Sequence, residues 1–354
     1  MDKALIVGAS GIGGANLAEL LLSEGWTVYG LARRGVFADP RIKPIAVDLQ
    51  SSDAANALAG VDVAQVFLLV WSRQATEAEN VRVNGAMIGN VLNAIGSAPD
   101  LKHVALVTGL KHYLGPFEAY AKGAVPATPF REEHGRQRAE NFYYAQEDRL
   151  FEAARKFGFH WTVHRPHTVI GYALGNAMNM GVTLAVYAVI CKETGWPFRF
   201  PGSRAQWESL TDVTDARVLA RHLLWAGTTE SAWDQDFNIV NGDVFRWNWL
   251  WPIVANYFGV PAVEFDDVVR PLERQMADAG PVWAGIAERH GLVERNIDRL
   301  ASWWHTDADL GRPMEVVTDM TKSRKAGFLD YQSTVDSFTD LFDRLRAERI
   351  IPPR

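Results

Sequence analysis

Over its first 170 residues the chain alternates between two hydrophobic patterns. Lys3-Ala4-Leu5-Ile6-Val7-Gly8 is a short continuous apolar run ending at a glycine, the pattern of a strand buried on both faces. From Ala15 to Leu22 the apolar residues take helical spacing. Further strands are predicted at 26–32, 42–47, 65–70 and 103–109, with a short helix at 52–59 and a long one at 77–96. A helix over 143–157 leads to a sixth strand, Trp161–Arg165, stopped by Pro166. Strands alternating with helices imply a parallel sheet covered on both faces. Right-handed crossovers make it a doubly wound, Rossmann-type α/β fold.

Residues 112–141 interrupt this rhythm with Gly115-Pro116, Pro126, Pro129 and a charged cluster at 131–140. They read as a long loop, and loops of that length in compact domains are often functional. Beyond Gly171 helices dominate. Residues 215–225 form a helix, Asp236–Val240 a short strand and Trp247–Phe258 an aromatic helix. The expected division is a nucleotide-binding domain at 1–170 and a smaller, mainly helical substrate domain at 171–354. Part of the latter, about 210–245, is expected to return to the first domain.

Composition narrows the class. Of the 354 residues 48% are apolar and 22% charged, which excludes a disordered chain. The net charge of −6, without a basic block, argues against nucleic acid. The longest apolar run, Val182–Cys191, is about half the ~20 residues a membrane-spanning helix needs. Met1-Asp2-Lys3-Ala4 lacks the features of a signal peptide, so a soluble, cytoplasmic protein is expected. The single cysteine, Cys191, and the scattered histidines offer no metal-ligand spacing. Tryptophan is skewed: ten of the 13 lie beyond residue 190.

The first turn carries the clearest chemistry. Gly8-Ala9-Ser10-Gly11-Ile12-Gly13-Gly14 sits between a strand and a helix, the context that supports a dinucleotide-binding loop. Gly8 permits the tight turn, Gly11 lets amides approach a pyrophosphate, and Gly14 lets the helix pack on the strand. Ser10 and Ile12 complete the cradle. About 20 residues on, an NAD site expects an acid. This chain has Arg33-Arg34, suited to a 2′-phosphate, so the expected cofactor is NADPH/NADP. Asp48, with Leu49, is placed to contact the adenine.

Reductases of this fold commonly use Tyr-x-x-x-Lys on one helix, where the ammonium lowers the phenol's pKa. Here the residues four beyond Tyr143 and Tyr144 are Glu147 and Asp148. Lys111, directly after the fifth strand, lies where such sheets bind ligands. Adjacent helical residues point about 100° apart, so only one of the two tyrosines can face the nicotinamide. His112 reads as a packing residue, and Cys191, in an apolar helix, as core.

Two stretches carry a family resemblance. Thr-Gly-x-Lys-His-Tyr-x-Gly-Pro-Phe at 108–117 and Asn141-Phe142-Tyr143-Tyr144-x-x-Glu147-Asp148 resemble the progesterone 5β-reductase and iridoid synthase family, atypical short-chain dehydrogenases/reductases. Ala32-Arg33-Arg34, Trp71 with Glu79-Asn80, Trp161–Pro166, Phe237–Phe245 and Trp303-Trp304 extend the resemblance over nearly the whole chain. It implies an extended short-chain dehydrogenase/reductase-like fold. It also implies NADPH-dependent reduction of the activated carbon–carbon double bond of enones or enals. Its catalytic lysine and tyrosine match Lys111 and Tyr143, and its nicotinamide would lie against Val107 and the Pro166–Val169 segment. Trp71, Met178 and His305 would line the substrate pocket, backed by Trp303 and Trp304. Plant members have phenylalanine after the Trp-Trp pair, whereas this chain has His305, able to hydrogen-bond a substrate. The start near the first strand, without the plant members' N-terminal extension, points to a non-plant homologue. The expected partner is a small hydrophobic enone or enal in an apolar, aromatic-lined pocket, and the expected state is a monomer or homodimer. The alternatives are an NADP-dependent carbonyl reductase or epimerase on the same fold, and a non-catalytic NADP-sensing regulator.

Overall fold

The computed structural model describes residues 2–51, 53–116, 126–176 and 178–353. Ser52, at the start of the expected 52–59 helix, Phe117, which ends the first motif, and the centre of the 112–141 loop lie outside the described residues.

The strands, in chain order, are β1 (Lys3–Val7), β2 (Thr27–Ala32), β3 (Lys43–Ala46), β4 (Gln65–Leu68), β5 (His103–Val107) and β6 (His160–Pro166). They continue with β7 (Val169–Ile170), β8 (Phe198–Arg199), β9 (Thr214–Asp215), β10 (Gln235–Ile239) and β11 (Ala262–Val263). Seven form a wholly parallel sheet in the order β10-β6-β5-β4-β1-β2-β3. The chain reverses direction across the sheet at β1, which pairs with β2 on one side and β4 on the other. A ligand crevice is expected there, outside the strands' carboxyl ends. The pairs β7–β9 and β8–β11 form two small separate sheets.

The helices that cover these sheets are α1 (Ile12–Ser23), α2 (Ala54–Leu58), α3 (Glu77–Ile95), α4 (Lys111–Leu114), α5 (Phe142–Phe157), α6 (Met180–Thr194) and α7 (Arg204–Glu208). Then come α8 (Ala216–Thr228), α9 (Trp247–Phe258), α10 (Leu272–Gln275), α11 (Ala279–His290), α12 (Trp303–Leu310), α13 (Thr321–Lys325) and α14 (Thr334–Ala347). Strand periodicity sorts the sheet's residues between two cores. Leu5, Val7, Val66, Leu68, Val104 and Leu106 face α3 and α5. Ala4, Ile6, Val28, Phe67 and Ala105 face α1 and α8.

The third core is built differently. Residues 180–191 of α6 are buried all round, as expected of a helix with no polar face. Asn179 accepts a hydrogen bond from the Val182 amide, and Gly195 ends the helix in the left-handed conformation. Around α6 pack α9, α11 and α14, with Trp247, Trp251 and Trp283 fully buried. Three of the ten tryptophans beyond residue 190 are thus core residues. No described helix is long and apolar enough to cross a membrane.

A buried polar chain also crosses the sheet. His103 hydrogen-bonds Gln65 and Thr162, Thr162 bonds His164, His164 bonds His222, and His222 bonds Ser323. Burial lowers the pKa of all three histidines, to about 3 for His103 and His222.

Candidate active site

A cleft of about 700 Å³ opens at the carboxyl ends of β1, β4, β5 and β6. One end is built from backbone. Gly8 has φ +91°, and a Cβ there would lie 2.4 Å from the Leu69 carbonyl oxygen. A Cβ on Gly14 would lie 2.3 Å from the Gly8 carbonyl oxygen, so α1 approaches β1 only because that residue is glycine. Helix α1 starts at Gly11 with no side-chain cap and no acid in its first turn. Its first amides lack intrahelical partners, so the cradle fits a dinucleotide's pyrophosphate by its own geometry. Gly8, Ser10, Gly11, Ile12, Arg33, Asp48 and Leu49 line the cleft. Gly14 lies beneath it, and Arg34 is exposed outside its lining. Asp48 also accepts a hydrogen bond from the Gln50 amide.

The middle of the cleft holds the two candidate catalytic side chains. Lys111 opens α4 immediately after β5, and Tyr143 lies in the first turn of α5. Buried Asn141 fixes their relation: it caps α5 by accepting from the Tyr143 amide at 3.0 Å and donates to the Lys111 carbonyl at 2.7 Å. The Lys111 ammonium lies 4.4 Å from the Phe142 ring centroid and 6.0 Å from that of Tyr143. Gly109 makes room for the phenol, since a Cβ there would meet the Tyr143 oxygen at 3.2 Å. Lys111, Tyr143, Val107, Pro166 and Val169 all line the cleft.

The paired tyrosines separate cleanly. The Tyr144 hydroxyl donates to the His112 carbonyl at 2.5 Å and accepts from the Gln137 amide, away from the cleft. Tyr143 faces the cleft. Glu147, where the common motif has lysine, is buried between Arg136 and Arg165.

Glu77 had no distinguishing sequence signal, because an acid in a first helical turn is an ordinary start feature. Its carboxylate lies 3.6 Å from the Lys111 ammonium. It also accepts from the Phe142 amide at 2.9 Å, joining the starts of α3 and α5. Tyr143 departs from the expectation of a lowered pKa: burial, with the Glu77 charge adding to it, drives its pKa upward. The phenol is therefore a proton-bearing donor at neutral pH.

The far end of the cleft differs from the expected aromatic wall. Trp71 lines it, stacked 5.6 Å from Phe142, and Met178 lines it too. Trp303 packs against the helical core, and Trp304 lies under the Arg73 guanidinium at 3.9 Å. The remaining wall is polar, formed by His167, Thr168, His305, Asp309 and Arg312. Asp212 bonds His167 at 2.8 Å, His167 bonds Arg312 at 2.7 Å, and Arg312 pairs with Asp309, which accepts from Thr168. These residues come from distant segments, so no local motif announced them.

Comparison with known proteins agrees with this architecture. A family model described as a PRISE-like Rossmann-fold domain matches residues 46–352. An (S)-8-oxocitronellyl enol synthase of Camptotheca acuminata is 40% identical over 99% of this chain and 93% of its own. A 3-oxo-Delta(4,5)-steroid 5-beta-reductase of Arabidopsis thaliana is 38% identical over 99% of this chain and 93% of its own. Among solved structures, a putative epimerase from Burkholderia cenocepacia superposes with TM-score 0.67 at 18% identity, covering 98% of both chains. At that identity the likeness is one of fold.

Proposed function

The chain belongs to the PRISE-like Rossmann-fold family, and on that premise we propose that it is an NADPH-dependent reductase of the activated double bond of small enones or enals. The observation that carries this is the meeting of Lys111 and Tyr143 in the cleft that the glycine cradle opens. The relatives' names agree in chemistry. Position 5 of a 3-oxo-Delta(4,5)-steroid is the β-carbon of an enone. An enol is what hydride addition at the β-carbon of an enal leaves once oxygen is protonated.

The cradle Gly8–Gly14 would hold the pyrophosphate, Arg33 the 2′-phosphate, Asp48 and Leu49 the adenine, and Val107, Pro166 and Val169 the nicotinamide. Bound reduced nicotinamide supplies the hydride to the β-carbon. The chain's own residues handle the oxygen. Tyr143, kept protonated by burial, donates a hydrogen bond to the substrate carbonyl. That bond strengthens as negative charge grows on the oxygen. Lys111 adds positive charge in the same low-dielectric space, held in place by Glu77. Gly109 and Asn141 fix the donor's position.

The test is NADPH oxidation with cyclohexenone and linear enals, with product identification. The expected product is the saturated carbonyl compound, with turnover sharply lowered in Lys111→Met and Tyr143→Phe. An allylic alcohol would instead establish carbonyl reduction. Cofactor binding without turnover across a broad enone panel would overturn the reading.

A further inference from the structure

Lys111 reaches the cleft on an element that cannot hold itself. Helix α4 is a single turn of four residues, and one turn alone is unfavourable. In the common Tyr-x-x-x-Lys arrangement one helix spaces the two side chains. Here they sit on separate helices, so other contacts must set their distance. All four residues of α4 are buried, and the carbonyls of the first three accept from side chains. Asn141 donates to Lys111 at 2.7 Å, the Tyr144 hydroxyl to His112 at 2.5 Å, and Gln137 to Tyr113.

Asn141, Tyr144 and Glu147 lie three apart at the start of α5, so they form one row on it. Tyr143 is turned about 100° from Tyr144 and faces the cleft. One helix thus presents the phenol and, beside it, a docking row for α4. Glu147 ends the row, at the position where the common motif has lysine. It is 1% exposed. Its Oε1 lies 3.5 Å from Nδ1 of His112, the residue after Lys111, and 3.4 Å from Arg165. Its Oε2 accepts from Arg136 at 2.8 Å. Burial alone would raise its pKa, but His112, Arg165 and Arg136 together hold it below the ordinary value. It is therefore a carboxylate at neutral pH. Arg165, on β6, donates to the Tyr113 hydroxyl at 3.3 Å and pairs with Asp236 of β10 at 2.7 Å. The Tyr113 hydroxyl in turn donates to Asn238 of β10 at 2.7 Å. The row and its arginine thereby tie α4 to both α5 and the sheet. Neither Tyr144, Glu147, His112 nor Arg165 lines the cleft. A buried ionic network is weak evidence for stability, and fixing register is its best-attested use.

We propose that Tyr144 and Glu147 are positioning residues: they seat α4 on α5 and so set Lys111 beside Tyr143 for the hydride step. This rests on the reading of Lys111 and Tyr143 as the site that holds the carbonyl oxygen. A misplacement of about 1 Å, caused from outside the reacting groups, can cost about 10²-fold in rate.

The experiment is a double-mutant cycle with Lys111 in the full chain. The readout is single-turnover NADPH oxidation with saturating cyclohexenone and enzyme in excess over NADPH, so that slow variants are measured too. Glu147→Gln should lower the rate by about tenfold or more. Tyr144→Phe, which loses one hydroxyl, should lower it by about threefold or more. NADPH affinity, read by cofactor fluorescence, should be unchanged in both. In a Lys111→Met background each should cost less than about twofold, because the group they position is gone. Equal losses in the two backgrounds would show that the row acts independently of Lys111, and overturn the proposal. A wild-type rate in either folded variant, or loss of NADPH binding in either, also overturns it and leaves the reductase standing. Wild-type turnover in Lys111→Met overturns the assignment of Lys111, and the proposal with it. No turnover of any enone by the wild type overturns the reductase reading itself. If thermal melting shows Glu147→Gln unfolded, the Tyr144→Phe cycle decides.

Discussion

The two ends of the cleft are made of different material. At the α1 end the ligand-facing groups are mostly backbone amides, and the residues that matter are those lacking a side chain: Gly8, Gly11 and Gly14. At the α12 end they are side chains, His167, Asp309 and Arg312 among them, brought from two distant segments and locked to one another by hydrogen bonds. A backbone site is set by local geometry and serves any ligand carrying the matching phosphate. A side-chain site can be rebuilt one residue at a time without touching the fold, so it is where specificity is tuned. Lys111 and Tyr143 lie between the two, side chains on helix starts fixed by Asn141.

Substitutions at each end should therefore fail differently. The largest effect is expected for Gly8→Val, which places side-chain atoms against the Leu69 carbonyl in a left-handed backbone. It should abolish NADPH binding and cost about 3 kcal/mol or more of stability, read by cofactor fluorescence and urea unfolding. Tyr143→Phe, in the middle, should lower kcat by about 10²–10³-fold and leave cofactor affinity unchanged. Loss of cofactor binding in this variant would mean that the two regions are not separable.

Acid should then act on the sheet beneath both ends. The unfolded chain protonates histidine near its ordinary pKa of about 6.5, whereas folded His103 and His222 resist protonation until about 3. Their contribution is complete above pH 6.5 and is lost as pH falls toward 3. At pH 5 the loss is about 2 kcal/mol for each, measurable by urea unfolding across the pH range. The smallest of these effects is at Arg33, the side-chain supplement to the backbone end. Arg33→Ala should weaken NADPH by about 10- to 100-fold and leave NADH nearly unchanged. Equal loss for both would show that Arg33 does not select the phosphate.

The difference between the ends also explains what could be read from the sequence. The sheet was legible because β1, β4 and β5 are largely apolar runs between helical stretches, and Trp247–Phe258 matches the expected aromatic helix. The glycine cradle was legible because its function is local. Helices α11, α12 and α14 were not individually assigned, since beyond Gly171 packing around α6 rather than regular periodicity decides the structure. The choice between Tyr143 and Tyr144 needed the hydrogen bond from Tyr144 to the His112 carbonyl. The polar wall needed the fold itself, because Asp212, His167 and Arg312 are far apart along the chain. Tryptophan composition pointed to an aromatic pocket, but Trp247, Trp251 and Trp283 are buried in the third core and Trp196 and Trp249 are exposed.

The central claim is conjugate hydride addition, with the carbonyl oxygen held at Tyr143 and Lys111. Its most direct test is to supply NADPH deuterated at the transferable position, reduce a linear enal with the wild-type protein, and locate the label by mass spectrometry and NMR. The account predicts a saturated aldehyde with deuterium on the β-carbon. Deuterium on the carbonyl carbon of an allylic alcohol would contradict it.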